Sequence, residues 1–349
     1  MNSSPAPVIS VVVLNYNGVK WIERCLESLK AQTLFDRIEV IVADNSSSDG
    51  SDRLAGHIIQ DWPNARFIQH GANLGYCEGN NRAAGTAQGR YLLFLNNDTW
   101  LEPLCLETLV AELERISAQA ATPLVLDYSG DSFQSLGAAG YDLFGFVCTR
   151  LPFAEAREIL MPEGCSYLIE RELFEKLGGF DPVFFMYADE LDLSWRVWVA
   201  GHKAVAIPSA RLHHRGAVHV NPEGGSQVVE FRTGDTKRFY ANRNSLLVLL
   251  KNCQHVLLLL VPLQVGFLFI EALVALLLVG RWSFVRRAYW DALADCWRLR
   301  GHVLAERKRI RQFRRHSDWW MLRFLRWRLN RWDELRRMMR YGRPKVAPR

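Results

Sequence analysis

Residues 91–99 read Tyr-Leu-Leu-Phe-Leu-Asn-Asn-Asp-Thr, and this stretch decides how the chain folds. Five apolar residues run without alternation into Asn96, Asn97 and Asp98. That pattern belongs to a strand buried on both faces, as in a parallel sheet. Its polar end then lies at the carboxyl edge of the sheet, where open α/β folds form their ligand crevice. A lone carboxylate at that edge is placed to hold a divalent cation bridging a diphosphate. Asp98 also suits the N-cap of a following helix.

Outward from this strand, three more runs share its character: Val8–Asn15 (VISVVVLN), Ile38–Asn45 (IEVIVADN) and Ala65–His70 (ARFIQH). Between them lie helical patterns, Val19–Gln32 with Trp21, Cys25 and Leu29 on one face, and the small-residue segment Gly75–Gln88. Strand–helix alternation at this period predicts an α/β fold, an open and mostly parallel sheet flanked by helices with right-handed crossovers. The strand ends then bring Asn15, Asp44 and Asp98 together. Downstream, a helix from about Pro103 to Gln119 and a strand at Pro123–Asp127 precede a loop-rich excursion, 128–163. A strand (Gly164–Glu170), a short helix (Glu172–Leu177) stopped by Gly178-Gly179, a helix (Asp189–Ala200) stopped by Gly201 and an extended Lys203–His214 complete the pattern.

Of 349 residues, 49% are hydrophobic, enough for a sizeable core. The seven cysteines are scattered without zinc or redox spacing, which suits small core residues in a reducing compartment. The N-terminus MNSSPAPVIS carries no signal-peptide pattern. Charge is uneven: residues 281–349 hold 21 Lys/Arg against six Asp/Glu, so the rest of a chain of net +6 is acidic. Seven of the twelve tryptophans share that basic tail. Trp interleaved with Arg fits a bilayer interface rather than a nucleic-acid groove, so a membrane surface, not nucleic acid, is the expected partner. Val256–Val279 is apolar apart from Gln264 and Glu271 and is long enough to cross a bilayer. Pro262 and Gly266 interrupt it, and a single crossing would put the basic tail on the far side from the rest, against the positive-inside tendency. A re-entrant or in-plane helix is therefore expected. Leu322, Leu325, Leu329 and Trp332 have the spacing of one helix face. These features divide the chain into a nucleotide-binding domain, 1–245, and a basic, Trp-rich helical membrane-associating region, 246–349.

Four segments in order, NYNG at 15–18, DNSSSDGS at 44–51, NLGY at 73–76 continuing to GNNR at 79–82, and NNDT at 96–99, resemble glycosyltransferase family 2. A fifth, GGFDPVFFMYADELDLSWRVWVAG at 178–201, is similar to the family's acceptor-side segment. The similarity covers roughly residues 8–250 and is most specific for the rhamnosyltransferase-like branch. It implies a GT-A-type fold and an inverting, metal-dependent transferase of cell-surface polysaccharide assembly on the cytoplasmic face of the membrane. The expected donor is a nucleotide-diphosphate sugar, dTDP-rhamnose or a UDP-sugar, and the expected acceptor a glycan or polyprenyl-linked hydroxyl. By the same resemblance Asp44 binds the nucleobase, with Asn15, Asn73, Asn97 and Asp98 also on the nucleotide sugar; Asn15 and Asn73 also suit local turns. Asp98 and His214 would ligate Mn2+ or Mg2+, although His213 stands adjacent and Asn96 replaces an acid common in the family. Glu190 falls on the catalytic base, with Asp189 the alternative because the acidic pair is inverted here. Adjacent helical residues point about 100° apart, which predicts separate roles for the two. Asp192 and Arg196, at i and i+4, read as a structural pair. A sugar-nucleotide nucleotidyltransferase would need a Gly-rich, basic loop after the first strand, where NYNGVKW has one Gly. A non-catalytic nucleotide-sugar-binding or scaffold protein is the reading from a different class.

Overall fold

A computed structural model describes residues 6–149, 152–216, 232–327 and 329–332, with 336, 339–340, 342 and 345–346. Four parallel strands form its first half: β1 (Ile9–Asn15), β2 (Ile38–Asp44), β3 (Ala65–Gln69) and β4 (Tyr91–Asn96). They lie in the order β4-β1-β2-β3. Register places Asn15 opposite Asp44 and Leu14 opposite Asn96, so the polar ends share one edge. The crossovers are α1 (Ile22–Lys30), α2 (Ser51–Ile59) and α3 (Gly75–Ala84). In α1 the buried Ile22, Cys25, Leu26 and Leu29 recur at i, i+3, i+4 and i+7, the stripe that seats a helix on a sheet.

Beyond β4 come β5 (Thr99–Leu101), α4 (Cys105–Ile116) and β6 (Ala120–Asp127). Among its described residues the excursion holds four short strands, β7 to β10 (Phe133–Ser135, Ala138–Tyr141, Val147–Thr149 and Arg157–Glu158). It returns through β11 (Ser166–Glu170), α5 (Arg171–Leu177), α6 (Asp189–Val199) and β12 (Ala204–His214). The sheet is mixed rather than parallel throughout, because β11 lies antiparallel between β4 and β6. No crossover helix follows β6, so the chain re-enters the sheet from the edge at which β6 left it. That reversal puts Gly164 and Cys165 beside the polar end of β4, where Asn96 N–H donates to the Cys165 carbonyl.

Both sheet faces are buried, which is why the strands read as unbroken apolar runs. Ile9, Val11, Val13 and Leu93 pack under α1, α2 and α4, while Val12, Ile41, Leu92 and Phe94 pack under α3 and α6.

After β12, α7 (Asp235–Asn252) packs on α6, and the anticipated domain boundary at 245 falls inside it. α8 (Leu260–Val279) buries one stripe, Leu260, Gln264, Leu268 and Ala272. Its opposite side exposes Leu263, Ile270, Leu273 and Leu277. Helices α9 (Trp282–Val285), α10 (Ala292–Arg298), α11 (Arg300–Phe313) and α12 (Asp318–Met321) follow. The helix face expected from Leu322 to Trp332 is not continuous. Leu325 has extended backbone (φ −66°, ψ 132°), and Arg326 N–H donates to the Tyr141 carbonyl at 2.8 Å, so the chain leaves helical geometry to pair with the excursion. His219, a surface histidine by sequence, lies outside the described residues.

Candidate functional site

The ends of β1, β2 and β4 meet in one buried network. Asn15 Nδ2 donates to Asp44 Oδ1 at 2.7 Å and to Ser51 Oγ at 2.9 Å. Asn97 Nδ2 donates to Asn15 Oδ1 at 2.8 Å. Asp44 also accepts from Ser47 N–H and Oγ–H, and Asn15 and Asp44 are wholly buried. The left-handed backbone of Ser46 (φ 63°) turns the chain so that the loop folds back on Asp44. Gly18 stands against this network: a Cβ there would collide with Asn97 Nδ2 and lie 2.6 Å from Asn15 Oδ1. Asn73 is exposed, and its Oδ1 accepts from Gly75 N–H at 3.0 Å, which shapes the turn into α3. The structure therefore joins Asn15, Asp44 and Asn97, and leaves Asn73 apart on the rim.

Asp98, just past β4, lies with its Oδ1 at 3.3 Å from His214 Nε2. On its other side, His214 Nδ1 donates to Gln134 Oε1 at 2.9 Å. Burial works to raise the Asp98 pKa, but the His214 hydrogen bond and charge, aided by Arg215, outweigh it and hold the carboxyl below the usual range. One carboxylate oxygen and one imidazole nitrogen stand side by side, with the other ring nitrogen fixed by an amide. This mixed donor set fits Mn2+ or Mg2+, Mn2+ better because of the imidazole. His213 points the other way, as strand alternation demands. It stacks on Trp100 at 3.7 Å, and its Nδ1 donates to the Asp127 carbonyl at 2.9 Å. His213, Glu102 and Asp131 form a second cluster with metal-ligand spacing. Arg211 already pairs with both of its carboxylates, at 3.2 Å from Glu102 and 2.9 Å from Asp131, and offsets part of their charge.

Asp189 and Glu190 open α6. Burial and their mutual repulsion raise the Asp189 pKa well above the carboxylate range. Glu190 is pushed up to about 7, chiefly by burial and further by the nearby charge of Glu163. The Glu190 charge acts on Asp189, so the two carboxyl groups of the first helical turn lie near each other. Two residues on, Asp192 and Arg196 form a wholly buried ion pair at 2.8 Å.

The turn Glu163-Gly164-Cys165 separates the two acidic groups. Glu190 lies against Gly164 on one side, where the Glu163 charge acts on it, and on the other the Cys165 thiol lies beside His214. Tyr76 Oη donates to the Gly164 carbonyl at 2.8 Å and fixes the turn. The Asp98–His214 pair and the Asp189–Glu190 pair therefore flank one three-residue turn. Sequence reading missed Gln134 and Glu163, which lie in the excursion outside any motif, and gave no role to Tyr76 although it ends the NLGY segment; only the antiparallel return of β11 brings the three together.

A family model for glycosyl transferase family 2 matches residues 10–178. An N-acetylglucosaminyl-diphospho-decaprenol L-rhamnosyltransferase of Mycobacterium tuberculosis is 30% identical over 268 residues, 68% of this chain and 85% of that protein. The mannosyltransferase PcManGT from Pyrobaculum calidifontis, solved in complex with GDP-Man and Mn2+, superposes with TM-score 0.53 at 18% identity, over 83% of this chain and 86% of its own. GalNAc-T7, solved with UDP, GalNAc and Mn2+, gives TM-score 0.53 at 20% identity, over 60% of this chain but only 43% of its own. At these identities the two structures speak for the fold alone.

Proposed function

Since the chain belongs to glycosyltransferase family 2, a family of sugar transferases, we propose that it moves a sugar from a nucleoside-diphosphate donor to a hydroxyl of a lipid-linked glycan, with inversion, in cell-surface polysaccharide assembly. The observation that carries this reading is the pair of acidic groups on either side of Glu163-Gly164-Cys165. One can hold a diphosphate through a cation, and the other can take a proton.

Asp98 and His214 are the residues that would hold Mn2+ or Mg2+. When bound, the ion supplies positive charge to stabilise the departing nucleoside diphosphate. Asp44, with Asn15 and Asn97 locking its orientation, faces the nucleoside side, where a carboxylate accepts from base or ribose. Glu190, raised to about 7, is matched to neutral pH for accepting the acceptor hydroxyl's proton as the oxygen attacks the anomeric carbon. Attack from the side opposite the leaving group inverts the configuration. Asp189, its pKa also raised by burial and by the Glu190 charge, stands beside the base as a second carboxyl able to hold a proton.

The rhamnosyltransferase relative, whose name carries a diphospho-decaprenol acceptor, supports L-rhamnose as the donor sugar and a polyprenyl-linked acceptor. The exposed apolar side of α8, flanked by exposed Trp282, Trp290 and Trp297 and by the basic tail, supports docking on the cytoplasmic face of an anionic membrane. From Leu260 to Ala272 one stripe of α8 is buried against protein, which favours an in-plane helix over a span.

The test is a transfer assay with dTDP-rhamnose, UDP-, GDP- and CMP-sugars on N-acetylglucosaminyl-diphospho-polyprenol in anionic vesicles, with and without Mn2+. One donor should turn over, and only with the ion. No turnover with any donor, while nucleotide still binds, would favour a non-catalytic binding protein. Leu273→Glu with Leu277→Glu should abolish vesicle co-sedimentation and leave the melting temperature unchanged; full retention of binding would remove the membrane reading.

A further inference from the structure

The turn leading into α6 is strained and fully bonded. Phe185 (φ 62°), Tyr187 (φ 69°) and Ala188 (φ 58°) all have left-handed backbone, and none is Gly, Asn or Asp. Residues with a Cβ keep that conformation only where their surroundings over-determine it, and such strain collects at functional sites. Here every main-chain carbonyl from Val183 to Tyr187 accepts a hydrogen bond. Asn244 Nδ2 donates to the Phe184 and Met186 carbonyls at 2.9 Å and to that of Tyr187 at 2.8 Å. Arg243 Nη2 donates to the Val183 carbonyl at 2.6 Å and to that of Phe184 at 3.3 Å. From the opposite side, Tyr76 N–H donates to the Phe185 carbonyl at 2.7 Å. That approach requires Gly75 (φ 76°), where a Cβ would stand 2.7 Å from the same oxygen.

Arg243 and Asn244 are buried in α7 and are themselves locked. Arg243 Nε donates to Asn244 Oδ1 at 2.9 Å, and Arg243 Nη1 donates to Asp295 Oδ2 of α10 at 2.9 Å. A guanidinium fork and an amide on α7 thus link α10, through Asp295, to the turn that delivers Asp189 and Glu190. We propose that Arg243 and Asn244 are positioning residues for Glu190, and that Asp295 holds Arg243 in place. The helices after β12 then complete the catalytic site as well as facing the membrane. This rests on Glu190 being the base.

The test compares Asn244→Ala, Arg243→Lys, Asp295→Asn and Glu190→Gln in the full chain. Nucleotide affinity is measured with UDP, dTDP and GDP plus Mn2+, kcat and its pH profile in the transfer assay, and hydrogen exchange over residues 183–190. Asn244→Ala should bind nucleotide within about twofold of the parent while kcat falls at least about tenfold, the scale expected when a reacting group is misplaced. The pH midpoint of kcat should move, and exchange over 183–190 should quicken. Arg243→Lys, which keeps the charge but loses the fork, and Asp295→Asn should fall between Asn244→Ala and the parent. Parental kcat and pH profile in Asn244→Ala beside an inactive Glu190→Gln would overturn the positioning role and leave the base intact. Loss of nucleotide binding in step with transfer would overturn it too, since the residues would then serve overall folding. If Glu190→Gln stays active, the base assignment falls; exchange then decides alone whether the clamp holds the turn, and unchanged exchange in Asn244→Ala overturns it.

Discussion

His214 Nδ1 donates to Gln134 Oε1 at 2.9 Å, which turns Nε2 toward Asp98. Hydrogen-bonded partners of this kind fix ring orientation, and their loss commonly weakens metal binding about 10–100-fold. Gln134→Ala should therefore lower Mn2+ affinity by roughly that factor, with Asp98 untouched. Titration of Mn2+ followed by electron paramagnetic resonance measures it, and unchanged affinity would mean that His214 is not a ligand.

Glu190 supplies the pH dependence. Its carboxyl is raised to about 7 by burial, so it is protonated, and useless as a base, below that value. Transfer should rise with pH through about 7, and far below it kcat should drop about tenfold per unit. Glu190→Gln should reduce kcat by about 10²–10⁴-fold and leave nucleotide binding alone. A flat profile between pH 5 and 8 would assign the proton transfer elsewhere.

Gly18 shields the Asn15–Asn97 hydrogen bond. In Gly18→Ala the new methyl would displace Asn97 and break the network that orients Asp44. Overpacking of this size costs about 1–3 kcal/mol. Calorimetry should show that loss together with weaker nucleotide binding; parental nucleotide affinity would place the nucleoside away from Asp44.

Lys251, wholly buried, binds Asp181 and lies 3.1 Å from Asp192, which in turn pairs with Arg196. Removing one member of such a buried cluster leaves charge uncompensated and costs about 3–5 kcal/mol. Lys251→Met should lower stability to denaturant by that amount. A stability equal to the parent's would mean that the cluster is dispensable for joining α6 to α7.

Much of this was legible because strand ends announce themselves. YLLFLNND and IEVIVADN place Asn97, Asp98 and Asp44 at one edge through periodicity alone. The reversal of β11 was not legible, since a loop-rich excursion carries no period that tells which edge the chain re-enters. Gln134 and Glu163 were hidden with it, and with them the partner that gives Tyr76 its role. The choice between His213 and His214 needed the pairing of β12, because one residue of register flips every side chain. Arg243 and Asn244 stand in none of the motifs; their role depends on carbonyls some sixty residues away.

The most direct measurement is anomalous diffraction at the manganese edge from crystals soaked with Mn2+ and a nucleoside diphosphate. The expected result is a peak between Asp98 and His214 Nε2, with the diphosphate beside it. A peak at Glu102, Asp131 and His213 instead, with nothing at Asp98, would contradict the proposed chemistry.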